Sequence, residues 1–480
     1  MLAFVALLLI LSALATKLSG RSGVPSLLFF LLLGALARAT PWFAIPAPSG
    51  RWSFQIGTIA LVLILFDGGL NITARSARLV LAPALVLALA GTVVTASLVA
   101  VIGVATGLAP SIAMLVGAVV SSTDAAAVFA ALRGSQLQLR ERIGLTIELE
   151  SALNDPVAFI LTITATEVVL HGSVNVAEEI GAFALQLLVG AMFGVVIGLL
   201  GRAFLQRVTL GVSGLYPVLT VALAFAAFGL ATLAAGSGFL AVAVAAILLS
   251  SRHMPYRAGV LRVHNALAWL AQMAMFLLLG LSIDPAELVH HVARGGLLAL
   301  ALGAVARPIA VLLCLLPFRY SWHERVFIAL TGLRGAVPIV LATYPMIRHV
   351  RGASDIFGLV FVIVAFNSII PGALVKYLAG ALGIHRRGPP PPPTGIEIAS
   401  RAEYDGEFVS YYISSASAVA GATVQELPLP ESCLVTLIVR GQEIVPPKGG
   451  TRIDAGDHVL VFTKESDKGL TDLLFGYVEE

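Results

Sequence analysis

Through residue 380 the chain is built of long, nearly unbroken apolar runs, with neither the alternation of a half-buried strand nor the polar stripe of a surface helix. Thirteen runs stand between short clusters of Gly, Pro and Arg: 2–16, 24–39, 53–71, 79–105, 110–132, 143–168, 180–204, 214–231, 237–251, 264–282, 295–316, 324–347 and 356–380. Crossing about 30 Å of hydrocarbon as helix takes roughly 20 apolar residues, so each run predicts a transmembrane helix. Ala13-Leu14-Ala15 also resembles a signal-peptide cleavage site, but the first run lacks a basic segment before it, and Lys17 and Arg21 follow directly. Past residue 382 the pattern changes. His385-Arg386-Arg387-Gly388 and the five prolines Pro389 to Pro393 predict an extended spacer over 383–399. Over 400–480, short runs at Phe408 to Ile413, Leu434 to Val439 and His458 to Phe462 alternate with Gly421, Pro446-Pro447 and Gly456-Asp457, which predicts a small α/β domain.

Composition sharpens this division. The chain is 58% apolar and 12% charged, against roughly 25% charged in soluble proteins, which excludes a soluble globular enzyme. Residues 1–387 carry 24 Lys and Arg against 13 Asp and Glu, and residues 388–480 carry 6 against 14, so the formal +3 joins a basic membrane region to an acidic tail. No nucleic-acid partner is expected from that balance. With alternating loops, 17 Lys and Arg (Lys17, Arg21, Arg75, Arg78, Arg133, Arg140, Arg142, Arg202 and Arg207 among them) fall on one side and 5 on the other. The positive-inside rule then predicts a cytoplasmic C-terminus and an external N-terminus in the plasma (inner) membrane. A disulfide between Cys314 and Cys433 would have to join membrane to solvent, so a reduced tail is the simpler expectation.

Charges at bilayer depth cost at least about 2.5–3.5 kcal/mol each, so every one needs a partner, a cavity or a task. Seven stand out: Asp67, Asp124, Glu148, Glu150, Asp155, Arg307 and Arg334. In the sixth run, Ser151 and Asp155 share one helix face while Glu150 and Asn154 share another. Pro156 offers no N–H to the carbonyl of Ala152, and Pro338 offers none to that of Arg334. Ser121-Ser122-Thr123-Asp124 in the fifth run and Gly332-Leu333-Arg334-Gly335-Ala336-Val337-Pro338 in the twelfth predict two broken helices. An offset of 211 residues carries Asp124 onto Gly335 and Gly69-Leu70 onto Gly280-Leu281. That spacing predicts two six-helix units, the second inverted in the membrane, with paired broken helices around a midplane site, as in secondary transporters. Glu150 with Arg334 is expected as a structural ion pair, and Arg307, beside Pro308, as a further counter-ion. Asp155 and Asp124, at helix irregularities, are the carboxylates expected to act. Asp67 divides between interfacial cap and site member. His290-His291 and the other histidines show no metal-ligand spacing.

Glu150-Ser151-x-x-Asn154-Asp155-Pro156, Ser122-Thr123-Asp124 and Gly332 to Pro338 resemble the motifs of the NhaP-type monovalent cation:proton antiporters. The tail resembles the TrkA C-terminal (RCK_C) domain through Gly421-x-Thr423-Val424-x-Glu426-Leu427, Arg440, Pro446-Pro447 and Gly456-Asp457, a pairing similar to the cell volume regulation protein A branch of potassium/proton antiporters. The resemblance covers nearly the whole chain. It implies an all-α polytopic fold with two broken helices crossing in a mobile core domain, and a homodimer in the lipid bilayer. It implies that Asp155 binds a monovalent cation or a proton, with Ser151, the main chain of Thr123, Asp124, Asn154 and, through water, Asp67 around it. Asn154 stands where electrogenic relatives have a second Asp, which implies one cation per proton. Ala125 departs from the Pro that many relatives carry after Thr-Asp, which bears on the break and on ion preference.

One carboxylate with two competing ligands, K+ or Na+ and H+, is enough for coupling without ATP or any resident cofactor. The RCK_C-like tail favours K+ by analogy and implies a nucleotide-like effector; no G-x-G-x-x-G follows a strand there, so dinucleotide binding is not expected. The alternatives are a cation channel gated by the tail, for which no Thr-x-Gly-Tyr-Gly filter is present, and an anion or organic-solute carrier, for which five deep carboxylates are the wrong lining.

Overall fold

The computed structural model describes residues 10–12, 14, 26–39, 50–132, 137–172, 175–208, 210–250, 254–282, 285–335, 337–387, 406–441, 443–464 and 466–479. Two compact units separate at Arg386 and Arg387.

The first unit is helical because, in hydrocarbon, a helix satisfies its backbone groups within its own segment. Its elements are α1 (Ser26–Ala39) and α2 (Gly50–Asn71); α3, made of Ala74–Val86, a π turn at Leu87–Gly91, and Thr92–Ala105; α4a (Pro110–Val119) and α4b (Ala125–Leu132); and α5 (Glu141–His171). There follow α6 (Val176–Arg207), α7 (Leu215–Leu233), α8 (Gly238–Leu249) and α9 (Arg257–Leu281); α10, made of Pro285–Ala301, a π turn at Leu302–Ala306, and Arg307–Leu315; α11a (Trp322–Leu330) and α11b (Val337–Ile347); and α12 (Ala353–Ala381). Twelve of the thirteen apolar runs are thus helical, two of them broken where expected. The first run, 2–16, lies almost wholly outside the described residues, as does most of the 383–399 spacer. Among the described residues eight helices are long and apolar enough to cross a membrane, and shorter apolar helices accompany them.

The repeat seen in sequence has a physical counterpart in packing. A Cβ at Gly69 on α2 would lie 2.5 Å from Ala246 Cβ on α8, and a Cβ at Gly280 on α9 would overlap the Leu31 carbonyl of α1, close to Ala35. The 211-residue offset maps Gly69 onto Gly280 and Ala35 onto Ala246, so each unit presses a glycine of one helix against the same position of the other unit's preceding helix. The corresponding helices α3 and α10 also each carry a π turn, about one helical turn out of register with the offset, a feature that the apolar pattern alone does not encode, because a one-residue widening leaves the composition unchanged.

The second unit is a five-stranded antiparallel sheet with β1 (Glu407–Tyr412), β2 (Leu434–Arg440), β3 (Glu443–Val445), β4 (His458–Thr463) and β5 (Tyr477–Glu479) in the order β3-β2-β4-β1-β5. The alternation in these runs puts Val409, Tyr411, Val459 and Val461 in the core, where the Tyr411 and Phe475 rings stack at 5.1 Å and helix α13 (Lys468–Phe475) closes the face. Arg440 fastens the turn at Gly456-Asp457 through bonds from Nε and Nη2 to the two oxygens of Asp457, both 2.8 Å. Glu426 closes a capping box with Thr423, whose N–H bond holds the exposed Glu426 carboxyl below the ordinary range.

Candidate functional site

The two breaks meet. Between α4a and α4b the chain runs unwound from Val120 to Asp124, and between α11a and α11b from Thr331 towards Val337. Asp124 N donates to Leu333 O at 2.9 Å, so one break hydrogen-bonds to the other directly. Gly335 makes this approach possible, since a Cβ there would collide with the Asp124 carboxylate, and Gly332 does the same for Arg307, whose Nε would be 2.7 Å from an added Cβ.

A broken helix exposes carbonyls at the end of its first half and N–H groups at the start of its second, each with a partial charge. Side chains of matching sign meet both. Arg334 Nη1 donates to the carbonyls of Ser122 (2.7 Å) and Ser121 (3.2 Å) beyond the end of α4a, while Asp124 Oδ1 accepts from Ala127 N at 3.2 Å and caps α4b. Ser151 on α5 splints the same break, its hydroxyl donating to Thr123 O (3.0 Å) and accepting from Ala125 N (3.1 Å).

Asp155 lies beside this junction on the uninterrupted helix α5, at 5% exposure. Its Oδ1 accepts from Ser122 Oγ at 2.5 Å, and the carboxylates Asp124 and Glu150 act on it electrostatically. Asn154, one residue back, donates through Nδ2 to Thr123 Oγ1 (2.5 Å) and Glu150 Oε1 (3.4 Å); its Oδ1 is buried with no hydrogen-bond donor among the described residues.

The expected Glu150–Arg334 pair does not form and is corrected here. Glu150 is held by Arg307 instead, through Nη1 to Oε1 at 2.8 Å and Nη2 to Oε2 at 2.7 Å, with both side chains nearly inaccessible. The physical reason is reach. The π turn directly before Arg307 and the bare Cα of Gly332 let the α10 guanidinium lie flat against the carboxylate, whereas Arg334 is drawn to the helix-end carbonyls. Arg307 is therefore the counter-ion of Glu150. Thr123 enters through side chain and carbonyl, but that carbonyl is engaged by Ser151. Asp67, near the end of α2, is not hydrogen-bonded to Asp155 among the described residues, and its Oδ1 is buried without a donor. Sequence reasoning quoted Ser122 in a motif without giving it a role. Its adjacency to Asp155 depends on how the unwound segment crosses α5, which spacing does not specify.

Paired broken helices from two matching units, meeting beside a buried carboxylate, define a secondary transporter. The family described as sodium/hydrogen exchanger, transmembrane matches residues 4–380, and the TrkA-C domain matches residues 408–473. The chain is 34% identical over 470 residues to the K(+)/H(+) antiporter NhaP of Alkalimonas amylolytica, covering 96% of this chain and 81% of that one. It is 33% identical over 482 residues to the K(+)/H(+) antiporter NhaP2 of Shewanella baltica, covering 99% and 83%. The sodium proton antiporter MjNhaP1 of Methanocaldococcus jannaschii, at pH 8, shares the fold with a TM-score of 0.66 at 22% identity, over 78% of this chain and 98% of that one. The chain belongs to the sodium/hydrogen exchanger family and carries a TrkA-C domain behind its transmembrane part.

Proposed function

We propose that this protein is a secondary active antiporter that exchanges a monovalent cation, K+ in preference to Na+, for a proton, one for one, by alternating access. The observation that carries the reading is the charge of the buried cluster. Asp124, Glu150 and Asp155 bring three negative charges and Arg307 and Arg334 two positive ones, and Arg307 is spent on Glu150. With all groups ionised the cluster carries one negative charge in excess. One proton or one monovalent cation at Asp155 neutralises it, and the two cannot be there together. A bare anion moved through a low-dielectric barrier is costly, so only the loaded forms let the site change sides. That exclusion couples the two fluxes without ATP.

Asp155 is the carboxylate that takes the cation or proton, with Asn154, whose buried Oδ1 has no donor among the described residues, and Asp124 beside it as further oxygen ligands; Ser122 orients Asp155, and Ser151 and Thr123 hold the break that supplies the surroundings. Asp67 serves at a distance, through water. Arg307 and Glu150 are a structural pair. Relatives named for potassium, matched over 81% and 83% of their own length, favour K+. Lys and Arg on alternate loops support a cytoplasmic C-terminus in the inner membrane. Residues 1–382 then form the transport domain, working as a homodimer, and 400–480 a cytosolic regulatory domain behind the 383–399 linker, with a nucleotide-like effector. The test is dissipation of an imposed pH gradient in proteoliposomes given K+, Na+ and Li+ in turn. Cation-dependent proton flux, largest with K+, is expected; a cation current with no proton flux would instead mark a channel.

A further inference from the structure

The site around Asp155 has a counterpart in the second unit. In α12, Asn367 and Ser368 stand 213 residues after Asn154 and Asp155, within two residues of the offset that relates the breaks. The correspondence extends to bonds. Asn154 Nδ2 reaches Glu150 one turn back on its own helix, and Asn367 Nδ2 reaches Ile363 O one turn back at 3.2 Å; their second partners differ, Thr123 in the first break for Asn154 and Ala299 O on α10, also 3.2 Å, for Asn367. Asp155 accepts from Ser122 in the first break, and Ser368 Oγ donates at 2.8 Å to the carbonyl of Arg334 in the second, 212 residues after Ser122. At this position the second unit thus sets a hydroxyl against its break where the first sets a carboxylate.

We infer that Ser368 is a positioning residue for cation exchange, acting on Asp155 through Arg334 and Ser122. Arg334 lies in the unwound break before α11b begins at Val337, where its carbonyl has no helical N–H to accept from, and at that depth water is not a ready substitute, so Ser368, 5% exposed, supplies the donor. With its backbone fixed there, Arg334 places Nη1 on the carbonyls of Ser121 and Ser122. That contact sets where the Ser122 hydroxyl stands, and so the orientation of Asp155. Ser368 Oγ also lies 2.8 Å from Val364 O, one turn back on its own helix. A hydroxyl has one proton to give. When the breaks rearrange during transport, Ser368 turns to Val364 and remains satisfied, so the Arg334 contact breaks and reforms at small cost.

This rests on the exchange proposed above and is tested on the full chain in proteoliposomes, as cation-dependent dissipation of a pH gradient over a range of K+ concentrations. Ser368→Ala is expected to raise the half-saturating K+ concentration by about fivefold, the change that a net hydrogen bond of about 1 kcal/mol corresponds to at 1.4 kcal/mol per tenfold, with a smaller effect on maximal rate. Ser368→Thr, which keeps the donor, should saturate close to the parent. Ser368→Cys, which keeps the volume and weakens the donor, is measured beside them and should follow alanine, which decides the matter if the alanine variant gives no folded protein. Alanine and cysteine variants that saturate like the parent, or a threonine variant shifted as far as either, overturn the inference. A parent protein without cation-dependent proton flux overturns instead the exchange reading beneath it.

Discussion

Among the deep carboxylates, Asp155 is set apart by its partners: Glu150 has a guanidinium, Asp124 has a helix end, and Asp155 has one neutral hydroxyl. Asp155→Asn keeps the shape and an acceptor for Ser122 while removing the group that can release a proton or balance a cation. It should therefore fold as the parent does and lose exchange, measured as proton flux in vesicles; substantial residual exchange would remove Asp155 from its role. The neighbouring ion pair answers to a different measurement. Removing either Glu150 or Arg307 leaves a buried charge alone, at a cost of about 3–5 kcal/mol, so each single alanine variant should lower folded yield. A double-mutant cycle should find strong coupling between Glu150 and Arg307 and weak coupling between Glu150 and Arg334; equal couplings would refute the assignment. At this scale the sequence allowed the charged residues to be named but not who meets whom, and Ser122 carried no role in it. Two Arg and several carboxylates have many pairings, and the choice made here turns on a π turn and on Gly332, features of backbone shape that composition does not carry.

Between elements, the decisive contact is the crossing of the two unwound segments, and it depends on the absence of a side chain at Gly335. Gly335→Ala should force the breaks apart, lengthening the Asp124 N to Leu333 O bond and unseating the cap on α4b. The expected outcome is loss of most exchange with the α-helical content retained, read by circular dichroism beside the flux assay; a fully active alanine variant would show that the breaks do not need this closeness. Helix positions were readable because hydrocarbon demands long apolar runs, and the breaks were readable because Ser121-Ser122-Thr123-Asp124 and Gly332 to Pro338 cannot sit in a lipid-facing helix without a compensating contact. Ala125 departs from the family pattern, yet α4b still begins there, because the cap comes from Asp124 and the splint from Ser151, neither of which needs proline.

Over the whole chain, the two compact units differ in charge as well as in fold, +11 over residues 1–387 and −8 over 388–480. On the cytoplasmic side proposed for it, an acidic domain would be repelled by an anionic leaflet, where each basic residue contributes about 1 kcal/mol of attraction, which speaks against a lipid anchor. Asp155, Ser122, Asn154, Asp124 and the Arg307–Glu150 pair all belong to the transmembrane unit. Regulation is the role proposed for the tail, and a ligand there could shift transport only by as much as it favours one conformation over another. Pro389 to Pro393 predict a semi-rigid spacer of about 15 Å, which passes a displacement on with less slack than a Gly/Ser linker of equal length. Deleting residues 395–480 should then preserve cation/proton exchange in proteoliposomes while moving its dependence on pH or on a cytosolic ligand. The comparison is made on matched amounts of folded full-length and truncated protein across a pH series. A truncated protein that is folded yet inactive at every pH would place the tail inside the transport machinery, and one with an unaltered pH and ligand profile would take away its regulatory role.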